Sequence, residues 1–157
     1  MNKSLKRVRA TLEAAGITPD IRETAMARTA QDAATALGCA VDQIAKSIVL
    51  RGKDSGKALL FVTAGAQQVD LARASALAGE ALGKAEAALI RAQTGFAIGG
   101  VAPVGHITPP RAWFDRSLLK FPLVWAAAGT PHHVFSLDPQ KMAKLSDAQV
   151  SDFVAIS

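Results

Sequence analysis

Gly95-Phe96-Ala97-Ile98-Gly99-Gly100-Val101-Ala102-Pro103-Val104-Gly105-His106 is the stretch on which the fold turns. It follows neither the 3.6-residue period of a helix nor the alternation of a strand. Pro109-Pro110 then keeps the chain irregular. Glycine where a side chain would otherwise pack points to positive φ or to another body close to the backbone. The stretch therefore reads as a preset loop that exposes amide N–H groups, able to hold an anion or the oxygen of a reacting carbonyl. A tight chain crossing is the competing reading. The spacing is not that of a dinucleotide fingerprint, and no Lys-Ser/Thr follows to make a P-loop.

Outward from this loop, helices and strands are mixed on the N-terminal side and strands predominate on the C-terminal side. N-terminal to it, Leu5, Val8, Leu12 and Ala15 recur at helical steps over Ser4–Ala15. Ile17–Glu23 reads as a short strand, and Thr29 caps a helix that ends at Gly38. Lys46–Arg51 is a β-branched strand, turned by Gly52-Lys53-Asp54-Ser55-Gly56 into a hairpin with Ala58–Ala64. Asp70 caps a helix over Leu71–Leu77, and another runs over Lys84–Gln93. C-terminal to the loop, strands are expected at Ala112–Asp115, Leu123–Ala127 and His133–Leu137. A helix from Pro139 to Leu145 and a last strand over Val150–Ile156 complete the chain. Helices and strands mix without strict βαβ alternation, which selects α+β with a mixed sheet over a doubly wound parallel sheet.

The chain has 157 residues, of which half are apolar and 32 are Ala, and carries a net charge of +5. That length suits one domain, 1–157. The single cysteine, Cys39, excludes an intramolecular disulfide and a cysteine zinc cluster. Three histidines leave little for a His-rich metal site. No apolar run reaches the ~18 residues of a membrane span, and none follows the basic N-terminus as in a signal peptide. A cytoplasmic protein without membrane attachment is expected. The positive balance permits an anionic partner such as nucleic acid.

Few side chains offer chemistry. Lys46 opens an apolar strand, where alternation puts it on one face with Ile48 and Leu50 and puts Ser47, Val49 and Arg51 on the other. A half-buried lysine there can clamp a phosphate or a carbonyl oxygen, or exchange a proton. A solvated strand-end lysine is the bland alternative. His132 and His133 follow Gly129-Thr130-Pro131 and point to opposite faces, so at most one can enter a given pocket. His106 closes the glycine loop. Lys3, Lys6, Arg7 and Arg9 crowd the start of the first helix against its dipole, either as a solvated face or as phosphate contacts. No G-x-S-x-G elbow is present. Asp70 reads as a cap, and Asp115 and Asp138 are left without a role.

In their order these pieces resemble the YbaK family of aminoacyl-tRNA editing domains, which includes free-standing Cys-tRNA(Pro) and Ala-tRNA(Pro) deacylases and the editing insertion of bacterial prolyl-tRNA synthetase. The resemblance rests on Ala45-Lys46-Ser47-Ile48-Val49-Leu50, Gln68-Val69-Asp70-Leu71, Thr94-Gly95-Phe96, the run Gly99 to His106, and Ala128-Gly129-Thr130-Pro131-His132. The family's G-x-x-P-x-G loop falls on Gly100, Pro103 and Gly105. The resemblance implies a compact single α+β domain with a mixed, barrel-like sheet flanked by helices. It also implies a trans-editing hydrolase that deacylates mischarged tRNA, foremost tRNA(Pro) carrying Ala, Cys, Ser or 2-aminobutyrate. Lys46 takes the place of the family's essential lysine. Gly99, Gly100, Val101, Ala102, Pro103, Val104, Gly105 and His106, with Gly129, Thr130 and His132, are the implied substrate-binding residues. Catalysis is then substrate-assisted, with neither cofactor nor metal. The implied partners are the acceptor end of aminoacyl-tRNA and prolyl-tRNA synthetase, with the chain a monomer or weak dimer. Glu23-Thr24-Ala25-Met26 departs from the family, where many members carry a His. Val101-Ala102-Pro103-Val104 also departs, since other members often have Ser or Thr and an aromatic near the proline. A non-catalytic tRNA- or synthetase-binding module on the same fold is the alternative function.

Overall fold

The computed structural model describes residues 2–25 and 27–156. In chain order its elements are α1 (Lys3–Ala14), β1 (Asp20–Glu23), α2 (Ala30–Leu37), β2 (Ala45–Gly52), β3 (Ala58–Ala64), α3 (Leu71–Ala78), β4 (Leu82–Lys84), α4 (Ala87–Thr94), β5 (Ala112–Asp115), β6 (Val124–Thr130), β7 (His133–Leu137), α5 (Pro139–Leu145) and β8 (Ala148–Ser151). Among the described residues the fold is α+β, with five α-helices on two sheets. One sheet has the order β4-β2-β3-β5-β8 and the other β1-β7-β6. The larger sheet is mixed: β2–β3 is antiparallel, and β3–β5 and β5–β8 are parallel. The barrel-like character lies in the join between the sheets, where Ile44 forms a parallel bridge with Trp125.

Sequence dictates most of these elements locally. Thr29, Asp70 and Asp138 each turn a side-chain oxygen onto first-turn amides of α2, α3 and α5, which satisfies donors a helix leaves open. Leu5, Val8 and Leu12 line the buried stripe of α1. They pack into the main core with Val62, Phe114, Phe135 and the loop residues Phe96, Ala102 and Val104. Alternation in β2 works as expected: Val49 joins that core, and Ile48 and Leu50 pack on the other side with Phe61 and Trp113. Phe61 stacks on Trp113 at 4.8 Å between centroids. Trp125 and Ile44 make a third cluster with Ala33 and Ala34 of α2, and Cys39 packs at its edge.

Three expectations shift. The first strand begins at Asp20, not Ile17. A short strand, β4, ends at Lys84, where the sequence expects a helix to begin, and α4 starts at Ala87. The last strand is Ala148–Ser151, and beyond it Val154 makes an isolated bridge to Val69. Asp115 is 2 % exposed and structural: its carboxylate accepts from the Ala64 amide at 3.0 Å and from the Ser117 amide and hydroxyl at 2.9 and 2.8 Å.

Candidate functional site

From the Ile44–Trp125 bridge, β2 and β6 splay apart. The fork between them holds a cavity of about 190 Å³, lined by Ala45, Lys46 and Ser47 on one side and by Trp125, Ala126 and Ala127 on the other. Ala30 and Ala33 of α2 close its end, and Gly99, Val101 and Thr130 form a third wall.

The register fixes which main-chain groups face the fork. Leu60 donates to the Arg111 carbonyl and Ala64 to Asp115, so even-numbered residues of β3 turn their main-chain groups toward β5. Their partners on β2, among them Ala45, Ser47 and Val49, must turn away from β3, because groups alternate along an antiparallel ladder. β4 covers that outer edge only at Leu50–Gly52. On β6, Trp125 faces β2 through the bridge, and Ala127, two residues on, faces the same way. The N–H and C=O of Ser47 and Ala127 therefore open into the cavity. The Ser47 hydroxyl is also buried and without a partner among the described residues.

The glycine loop is held from outside. Within it, Gly100 donates to the Ala97 carbonyl at 3.0 Å, and the amides of Gly99 and Val101 have no protein acceptor among the described residues. A methyl group on Gly100 would lie 2.8 Å from Thr130 Cα, so this glycine is required by close approach. Gly129 likewise abuts the Ser4 carbonyl of α1, at 2.8 Å from where its Cβ would be. Arg7 is neither a solvated charge nor free for phosphate. Its Nε donates to the Gly105 carbonyl at 2.6 Å and Nη2 to the Gly95 carbonyl at 3.1 Å. Its guanidinium lies over the Phe96 ring, 4.7 Å from the centroid.

The Lys46 ammonium donates to the Gly65 carbonyl at 3.1 Å. Burial lowers its pKa, partly offset by Asp42. Lys46 borders both the cavity and a groove formed by Ile48, Leu50, Gln68, Val69 and Leu71. His133 lines the cavity: its Nδ1 is 2.7 Å from the Thr130 hydroxyl and its Nε2 is 3.9 Å from the Glu23 carboxylate. The Thr130 hydroxyl accepts from the His132 amide at 3.1 Å and keeps both its proton and a second lone pair for the His133 ring.

The candidate residues thus divide. Lys46, Gly99, Val101 and Thr130 converge on the fork, and Gly100 supports it from behind. Ala102 and Val104 are buried core residues. Pro103, Gly105 and His106 border a different cleft of about 630 Å³ beside α5. His106 holds the loop, with Nε2 2.6 Å from the Ala102 carbonyl and its ring edge-on to Phe96. Burial pulls its pKa down most, the Ala102 contact raises it, and Arg7 lowers it further. The His132 side chain is exposed, whereas His133 enters the cavity. Sequence reading left out Ser47, Trp125, Ala126 and Ala127, whose relevance depends on two strands meeting some 80 positions apart. Met26 of the divergent Glu23–Met26 segment lies outside the described residues. No group of three His, Cys, Asp or Glu suited to a metal occurs among the described residues. None of their helices is long and apolar enough to cross a membrane.

Comparison with known proteins shows the family. The profile of the aminoacyl-tRNA editing domain matches residues 24–145. YwhH, an uncharacterized protein of Bacillus subtilis (strain 168), is 30% identical over 122 residues, covering 78% of this chain and 77% of its own. A crystal structure of a candidate trans-editing enzyme for prolyl-tRNA synthetase is 43% identical over 99% of both chains, with a TM-score of 0.91. A scaffold from computational grafting of linear epitopes also superposes with a TM-score of 0.91, at 41% identity over the full length of both.

Proposed function

Because the chain belongs to the aminoacyl-tRNA editing domain family, we propose that it is a trans-editing hydrolase that frees a small amino acid from mischarged tRNA, with tRNA(Pro) as the main carrier. The observation that supports this most is the fork itself, which brings half-buried Lys46, the Gly99 and Val101 loop and a small cavity with several alanines into one place.

The aminoacyl bond is an activated ester, so positioning supplies most of what its hydrolysis needs. Water adds to the ester carbon, the bond to the 3′ oxygen of the terminal ribose breaks, and that oxygen takes up the proton. The neighbouring 2′-hydroxyl orients the water and relays the proton. In this reading the Gly99 and Val101 amides receive the negative charge that grows on the ester oxygen. Lys46 sits at the rim, where the acceptor end with its phosphates must enter. Thr130 and His133 form a hydrogen-bonded wall opposite. Ala, Cys, Ser and 2-aminobutyrate suit a cavity of this size. Editing is needed because one methylene changes binding in a synthetic site by only about 1–3 kcal/mol.

The test is hydrolysis of alanyl-tRNA(Pro) by the purified protein and by Lys46→Ala. The wild type should release alanine, and the variant should lose most of this activity while its thermal unfolding is unchanged. Unimpaired hydrolysis by the folded variant would remove Lys46 from the site.

A further inference from the structure

The larger cleft, about 630 Å³ beside α5, has no part in the hydrolysis proposed above. It lies across the glycine loop from the fork: Gly99 and Val101 wall the fork, whereas Pro103 to His106 wall the cleft. Two opposite charges border it, Arg111 and Asp147. Each precedes by one residue the first pair of the β5–β8 ladder, Ala112 with Ala148, so the two stand side by side at its start. They make no ion pair with each other among the described residues. We infer that this cleft binds a free α-amino acid as its zwitterion, with the carboxylate held by loop amides and Arg111 and the ammonium by Asp147.

Donors for a carboxylate are in place. The amides of Val104, Gly105 and His106 have no protein acceptor among the described residues. Arg7, which does not border the cleft, draws the Gly105 carbonyl to itself at 2.6 Å. Across the same trans peptide the His106 N–H points the opposite way, toward the cleft. Gly105 has a φ of +76°, and a turn of that hand sets successive amides around a concave anion seat. The Arg111 guanidinium is fixed over the Trp113 ring, 4.9 Å from the centroid, with Nη1 donating to the Ala78 carbonyl at 2.9 Å. Its Nε and Nη2 keep donors without a protein partner among the described residues. Asp147 holds a left-handed φ of +52°, alone among the described non-glycine residues, and such strained positions concentrate at ligand sites. A bare anion in the cleft meets the Asp147 carboxylate and a bare cation meets Arg111, whereas a molecule carrying both charges is attracted by both. Val104, Leu145 and Trp113 supply an apolar wall for its side chain.

Binding alone tests this, so its outcome is independent of the hydrolase reading. Isotope-labelled protein would be titrated with L-leucine, with 4-methylpentanoate, which lacks the amine, and with 3-methylbutylamine, which lacks the carboxylate, while backbone amide resonances are followed. Leucine should give saturating shifts at Val104, Gly105 and His106, and each single-charge analogue should bind about tenfold more weakly or worse. Asp147→Asn keeps a residue type that tolerates the left-handed backbone. With its unfolding midpoint unchanged, this variant should bind leucine about tenfold more weakly and 4-methylpentanoate no more weakly than the wild type does. Four results would each overturn the assignment: no saturable shift at the three amides, 4-methylpentanoate binding as tightly as leucine, leucine shifts confined to Gly99 and Val101 at the fork, or undiminished leucine affinity in the folded variant.

Discussion

At the scale of single residues, Lys46 and His106 have opposite fates. Lys46 was legible as a half-buried strand lysine; in the structure it borders the cavity and its ammonium donates to the Gly65 carbonyl. Arginine keeps the charge but not the compact ammonium geometry, so Lys46→Arg should recover only a minor part of the activity lost in Lys46→Ala, as read from kcat/KM. His106 looked equally chemical, yet its neighbours turn it into a clasp on the loop. Its partner Ala102 is four positions away, but the burial that keeps it neutral comes from distant elements, which no local pattern reports. Burial depresses its folded pKa, while the unfolded chain titrates near the ordinary value of about 6.5. Below that pH the unfolded state binds more protons, so stability is full above it and falls as the pH drops toward the folded pKa. Urea unfolding at pH 7.5 and 5.5 should show this loss in the wild type and a smaller one in His106→Gln, which keeps a donor for the Ala102 carbonyl without titrating. Equal losses would exclude His106 as the source.

At the scale of elements, the glycine loop is shaped mainly by its surroundings. Arg7 fastens both of its ends to α1, and Gly100 lies against Thr130. Arg7→Ala should therefore cost about 2–3 kcal/mol, since two charge-assisted hydrogen bonds and a ring contact are lost. Denaturant midpoints measure it, and a change below a few tenths would mean the loop holds itself. Gly100→Ala forces a methyl group against backbone and should cost about 1–3 kcal/mol, with kcat/KM falling further than stability because Gly99 and Val101 move with it. Misplaced basic charge at the start of α1 was visible in the sequence, but its acceptors lie 88 and 98 positions away. The β2–β3 hairpin and the caps of α2, α3 and α5 were readable because their causes are local. β4 escaped because three residues, one of them Gly83, carry no period. β8 was displaced because its pairing with β5 is parallel and long-range.

At the scale of the whole molecule, the candidate site lies where two sheets that share a core are bridged at Ile44–Trp125 and, among the described residues, β2 and β6 pair no further. No single element contains it, and the sequence supplied its pieces without the fork that joins them. A chain of this size folds to a radius of gyration of only about 15 Å, enough to cover the acceptor end of a tRNA and little more. An acceptor minihelix should accordingly be deacylated nearly as fast as full tRNA; a large drop would mean that distant parts of the tRNA are read. With a net charge of +5, the proposed tRNA binding should weaken as salt is added. The central claim is selective hydrolysis, and the direct measurement compares tRNA(Pro) charged with Ala, Cys, Ser, 2-aminobutyrate or Pro in the presence of the protein. At least one of the small amino acids should be released well above the spontaneous rate while prolyl-tRNA(Pro) persists. Stability of all five, or loss of proline as fast as the rest, would contradict the account.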